Sequence, residues 1–195
     1  MREASPVRYV LDLGGHRNNA GCAAPGFDAR QGFDGFGRTY PAEELAALGP
    51  LVGGWPELLG RGDPDNAECD GQVVELDEPL LVHAVGLLGA SCGGALRDEL
   101  VLAGPHAPDG VLLPFGFPDF LARPGTGDEV CEFTASALRE NGRTVPGPPP
   151  RLWRSHAGPA RPVVCSTVRL PVNPGLHLFG LWVLAEAAGT GAGRP

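Results

Sequence analysis

Between Asn18 and Gln72 the chain carries a string of acids and amides, each beside a turn former. In order they are Asn18-Asn19-Ala20-Gly21, Phe33-Asp34-Gly35, Tyr40-Pro41-Ala42-Glu43-Glu44-Leu45, Pro64-Asp65-Asn66 and Gly71-Gln72. A carboxylate can take a proton, and an amide can hold a polar group or a developing negative charge. Asp34 is the candidate catalytic base, because an aromatic on one side and a glycine on the other can hold it in a partly apolar loop. Its competing role is to cap a turn through its own backbone. Asp65-Asn66 after Pro64 has the signature of an Asx turn first and of a ligand contact second. Asn18, Asn19, Tyr40, Glu43, Asp65, Asn66 and Gln72 are the substrate-binding candidates of this stretch.

A second set is Trp153-Arg154-Ser155-His156. Trp153 could stack on a ligand face, Arg154 could pair with an anionic group, and His156 could carry a proton as a second catalytic residue. The competing reading is a solvated loop with one anchoring Trp. His16 and His106 also fall in polar or Pro/Gly loops, whereas His83 and His177 fall inside strand patterns and are expected to be packing residues. Ser155-His156 is not a nucleophile pair, because adjacent side chains diverge. G-x-S-x-G, P-loop, dinucleotide and H-E-x-x-H patterns are absent from the sequence. All 15 basic residues are Arg, so lysine Schiff-base chemistry, pyridoxal phosphate attachment included, has no residue to use.

The five cysteines, Cys22, Cys69, Cys92, Cys131 and Cys165, contain no C-x-x-C pair. Their odd number favours reduced thiols that pack as small hydrophobes. No metal site is assigned and no cofactor is implied. A structural Ca²⁺ stays open through Asp34, Glu43, Glu44 and Asp65 with the amide oxygens of Asn18 and Asn19, although no D-x-D-x-D loop is present.

These residues need a scaffold of loops on short strands. Strand patterns cover 7–13, 72–76, 80–88, 129–134, 163–170 and 176–184, and 98–103 with 110–115 read as a hairpin. A long glycine-rich loop fills 14–40, and 42–48 is a helical turn or a strand. Residues 171–175 are a turn by composition, and 146–150 form a stiff connector. The pattern predicts an all-β sandwich or barrel, with one domain over 1–187 and a disordered tail at 188–195.

At 195 residues the chain can bury a sizeable core, and its net charge of -8 argues against nucleic acid. No apolar run reaches the ~18 residues of a membrane span, and 1–6 lack an apolar leader, so a cytoplasmic location is expected. The expected partner is a small polar molecule; the oligomeric state is left open.

The ordered signatures Phe33-Asp34-Gly35, Tyr40 to Leu45, Pro64-Asp65-Asn66 and Gly71-Gln72 resemble a family of bacterial, chiefly actinobacterial, galactose-binding-like domains. The segment Val168-Arg169-Leu170-Pro171-Val172-Asn173-Pro174-Gly175-Leu176-His177-Leu178-Phe179-Gly180-Leu181 resembles that family's closing hairpin. The likeness spans most of 8–185 and is patchy between Cys92 and Arg161. It implies a jelly-roll β-sandwich. Members are appended to glycoside hydrolases, where sugar binding is inferred, or stand alone, some beside natural-product genes. Two functions from different classes follow. One is a cofactor-independent enzyme of specialised metabolism, performing an acid/base elimination, isomerisation or ring closure, with aziridine-type closure as one case. The other is a carbohydrate-binding module using Trp55 and Trp153 with Asp and Asn hydrogen bonds.

Overall fold

The computed structural model describes residues 5–105, 107–124 and 129–188. The leader expectation for 1–4, the loop placement of His106 and most of the expected tail lie outside the described residues. Within them, strands dominate, and the helical content is short 3-10 turns at Gly14–His16 and Ala42–Leu51. The chain is an all-β sandwich whose described strands pair antiparallel, except for the parallel pair Cys22–Ala23 with Arg38–Pro41. Ala42–Leu51 takes the helical of the two options left open by sequence, with Pro50 held where a tight 3-10 turn tolerates it.

Strands β1 (Val7–Leu11), β4 (Ala67–Asp70), β5 (Val73–Ser91), β6 (Leu96–Gly104), β7 (Ala107–Phe117), β8 (Val130–Thr134), β11 (Arg151–Ala157), β12 (Val163–Arg169) and β13 (Val172–Ala187) form one connected network. Its main path runs β1-β13-β5-β12-β6-β7, with β11 on β5, β8 on β11 and β4 on β13. A smaller sheet is built from β2 (Cys22–Ala23), β3 (Arg38–Pro41), β9 (Leu138–Glu140) and β10 (Arg143–Val145).

Strand β5 organises everything else. Sequence predicts two strands, 72–76 and 80–88; the molecule has one of 19 residues. Its ladder with β12 jumps from Glu75↔Thr167 to Leu80↔Cys165, and Pro79 sits in that interruption, where its missing N–H costs nothing. The strand also curves sharply. Leu170 and Pro171 bond to Gln72 and Gly71 at its start, yet Leu176 pairs with Ser91 at its end. Six residues of chain reach at most ~20 Å, whereas a straight strand of that length spans ~60 Å. Strand β5 therefore bends from one layer of the sandwich into the other, with β12 on its first half and β13 and β11 on its second. The first half alternates inward Val74, Leu76, Leu80 and Val82 with exposed neighbours, but from Val85 to Ser91 both faces are buried.

Residues 171–175 do not form the expected turn. Strand β13 already begins at Val172, and its register on β4 shifts between Asn173↔Cys69 and His177↔Glu68. Pro174 and Gly175 lie in this bulge, which sets where His177 falls in the sheet. Residues 151–157, expected as a loop, are strand β11, paired on both edges.

Candidate functional site

Four segments converge beside the end of β5: the loop 18–22, the loop 33–38, the start of β4 and the bulged start of β13. Asp65 and Asn66, just ahead of β4, are both fully buried. Asp65 Oδ1 accepts from the backbone N–H of Gly21 at 3.0 Å, and Oδ2 accepts from that of Cys22 at 2.9 Å. Asp65 is thus a long-range clamp on the 18–22 loop, not the local Asx turn expected from sequence. Burial raises its affinity for a proton, while the Asn66 amide and the two backbone N–H groups work against that shift.

The Asn66 amide donates from Nδ2 to Asp65 Oδ1 at 2.8 Å and to Asn19 Oδ1 at 2.9 Å. These acceptors fix which end of the amide is oxygen. Asn66 Oδ1 consequently faces His177 Nδ1 at 2.9 Å and must accept from it. With the proton on Nδ1, the Nε2 lone pair of His177 is left to face Cys92 Sγ, 3.8 Å away. The order is Cys92, His177, Asn66, Asp65: thiol, imidazole, carboxamide, carboxylate. His177 is buried under the Phe33 ring, with centroids 4.3 Å apart. Burial holds its pKa down at about 4, against weaker opposing pulls from the Pro174 carbonyl and Asp34. It is a neutral imidazole at neutral pH.

Cys92 ends this chain of contacts and is half-buried. It sits between β5 and a Gly93-Gly94 turn with φ of 83° and 123°, a backbone that side chains rarely adopt. The turn is held from both sides: Ser91 Oγ donates to the Gly94 carbonyl at 2.6 Å, and Gly94 N–H donates to Asp119 Oδ2 at 2.8 Å. Burial raises the Cys92 thiol, and the Asp34, Asp119 and Glu68 carboxylates add to it. Thiol and imidazole therefore meet as a neutral pair.

The other sequence candidates are distributed as follows. Asp34 has a 3% exposed side chain. Its Oδ1 accepts from the N–H of Phe36 at 2.9 Å and of Arg38 at 3.3 Å, and its Oδ2 pairs with the Arg38 guanidinium. It caps its own turn, the alternative role that its sequence context allows, while lying close enough to act on both Cys92 and His177. Asn19 belongs to the buried network; Asn18 is exposed and ties to Glu68 through its amide. Gln72 folds back on Glu68 and Asp70 and closes the β4–β5 turn. Tyr40 is fully buried, its hydroxyl donating to the Arg151 carbonyl at 2.7 Å, so it serves the core. Glu43 pairs with Arg139, which holds its carboxyl below the usual range, and Glu44 accepts from Ser136.

Trp153, Arg154 and His156 do not act together. Strand alternation turns Trp153 inward, where it is 2% exposed and donates from Nε1 to the Asp119 carbonyl. Arg154 pairs with Glu132, and exposed His156 lies edge-on to Trp182. Burial, then Arg154, lowers the His156 pKa. Trp55 is half-buried and donates to the Leu45 carbonyl. The four carboxylates weighed for Ca²⁺ are dispersed over separate partners, and among the described residues no three His, Cys, Asp or Glu side chains are grouped to hold a metal.

A cavity of about 280 Å³ is lined by Asn18, Asn19 and Arg30 among others, so it abuts the buried network at Asn19. A larger groove of about 680 Å³ runs between β1 and the first half of β5 and contains none of the convergent residues. By sequence, Cys92 and His177 are assigned to packing and not to the site. The available signals were a Cys followed by Gly-Gly at the end of an apolar run, and a lone His in an otherwise apolar strand. Neither discloses that the two side chains meet.

The chain matches no protein-family model and no curated protein. No helix among the described residues is long and apolar enough to cross a membrane.

Proposed function

We propose that the protein is a cofactor-independent enzyme that moves protons on a small polar molecule, with His177 as its working base. The observation that carries this reading is the oriented imidazole. Asn66 fixes its tautomer, burial keeps it neutral, Cys92 Sγ faces its free nitrogen, and Asp34 is close enough to act on the ring. A neutral imidazole held in this way can abstract a proton in an elimination, an isomerisation or a ring closure, aziridine-type closure included. Asp34 takes a different part from the one expected of it. Committed to Arg38, it supplies a negative field that favours the imidazolium formed during transfer. The resemblance to stand-alone galactose-binding-like jelly-roll domains near biosynthetic genes points the same way. Against the carbohydrate-binding alternative stands the use made of its aromatics, since Trp153 is spent in the core and Trp55 on a carbonyl.

The test is proton exchange. Wild type and His177→Gln are incubated in D₂O with a panel of small amino, hydroxy and keto acids and their O-acylated forms, and products are read by mass. Deuterium uptake or loss of a leaving group by wild type, reduced ~10²-fold or more in the variant, is expected for loss of a general base. Sugars that stabilise the fold while nothing in the panel exchanges or reacts would overturn the enzyme reading in favour of the module.

A further inference from the structure

We infer that Cys92 is a covalent nucleophile, and that the Cys92–His177–Asn66 chain takes an acyl group from a small neutral or cationic ester or thioester. This deepens the proton-transfer reading, since it uses the same imidazole, and it adds a bond to the protein that the reading does not require.

The geometry meets the spatial requirements of nucleophilic catalysis in turn; the thiol is held above its ordinary pKa, so its activation falls entirely on the adjacent base. A thiol needs a base within reach, and His177 Nε2 is 3.8 Å from Sγ, at the long end of the reach of a sulfur donor. The base needs a third group to fix its tautomer, and Asn66 Oδ1 supplies it at 2.9 Å. Asn66 is itself immobilised by Asp65 and Asn19, so the order is held by a buried network and not by a mobile loop. The nucleophile needs room. Cys92 is half-buried, and the turn that follows it is open, since a side-chain carbon added at Gly93 or Gly94 would meet nothing within 4 Å. The Gly93 N–H follows the nucleophile directly and makes no hydrogen bond among the described residues, so it is available to a developing oxyanion.

The step balances without a further redox partner. The Sγ–H proton passes to His177 Nε2 as sulfur bonds to the carbonyl carbon. The carbon–oxygen or carbon–sulfur bond to the leaving group then breaks, and the leaving group departs with the proton from Nε2. Water or an amine attacks the acyl-cysteine, surrenders its proton through the same imidazole to sulfur, and restores the thiol. The charge of the acyl group follows from the surroundings: Asp119, whose Oδ2 accepts from the Gly94 N–H two residues beyond Cys92, sets a negative charge beside the nucleophile, which disfavours an anionic acyl chain over a neutral or cationic one.

The probes are p-nitrophenyl acetate (neutral), acetylthiocholine (cationic) and a succinyl thioester (anionic), used on the full chain. Intact mass and peptide mapping locate the acyl group, and the leaving group gives the rate. The expected result is one acetyl group on Cys92, formed ~10²-fold faster than on Cys131, the other half-buried thiol. Cys92→Ala abolishes it, His177→Gln slows it ~10²-fold, and the anionic probe reacts at least ~10-fold more slowly than the neutral one. Equal labelling of Cys92 and Cys131 would overturn the proposal, as would an unchanged rate in Cys92→Ala. Should His177→Gln melt early, the comparison of the two cysteines and Cys92→Ala decide alone. If Cys92→Ala keeps full proton exchange and wild type forms no acyl-cysteine, the nucleophile falls and the base stands. If His177→Gln stays folded and keeps both exchange and acylation, the base falls too.

Discussion

His177 illustrates how one residue's surroundings set both its chemistry and its stability cost. An imidazole in the unfolded chain titrates near 6.5, and in the fold burial holds it at about 4. Between those values the unfolded state binds more protons, so stability is full above pH ~6.5 and is lost as pH falls towards 4. The loss is about 3 kcal/mol over that window. His177→Gln keeps a donor for Asn66 Oδ1 but cannot titrate. Urea unfolding of both proteins from pH 7.5 to 4 should give a difference curve that rises by about that amount on acidification; a flat difference would place the imidazole in a wetter site than the one described. Asp65 carries a second lesson at this scale. Its residue type and the turn former before it were legible, but its partners Gly21 and Cys22 lie more than forty positions away. A carboxylate that satisfies two backbone donors of a distant loop has the same local sequence as one that caps its own turn.

At the scale of elements, β5 and β13 carry the site between them, and their closeness is enforced by a glycine. A side-chain carbon on Gly89 would lie 2.2 Å from the His177 carbonyl oxygen and 2.8 Å from the Phe117 ring. The first contact is backbone, at the step where β13 changes register between Leu178 and Gly180. Gly89→Ala must therefore push β13 away and carry His177 with it. Overpacking of this kind costs typically ~1–3 kcal/mol, and the upper end is expected here because backbone and not a flexible side chain is struck. Thermal denaturation reads the loss, and a variant as stable as wild type would show that β13 gives way freely. The runs of β1, β5, β6, β7, β8, β12 and β13 were visible in the hydrophobic pattern, whereas β2, β3, β4, β9, β10 and β11 were not. Nor was the joining of the two β5 runs: Pro79 looks like a strand breaker until the ladder with β12 is seen to part around it. Likewise Pro174 and Gly175 look like a turn, and the tertiary pairing of β13 with β4 and β5 turns them into a bulge.

For the whole molecule, sandwich closure decides which thiols meet reagent. All five cysteines are free, with Cys22, Cys69 and Cys165 buried and Cys92 and Cys131 half-buried. Alkylation of the native protein should reach the latter two first, and denaturation without reductant should expose five; a denatured count of three or fewer would mean disulfides that this fold does not contain. Composition and periodicity by themselves determined the all-β class, because alternation, β-branched runs and Gly/Pro punctuation are local and survive any arrangement of the strands. They also marked the 18–72 stretch as rich in acids and amides, since residue type is read directly. Only the tertiary structure decided which of those groups share a site. The bend in β5 brings its two ends to neighbouring strands, and the bulge in β13 sets His177 between Asn66 and Cys92. Contacts of this kind depend on register and curvature summed over the whole sandwich, and no window of sequence contains both partners.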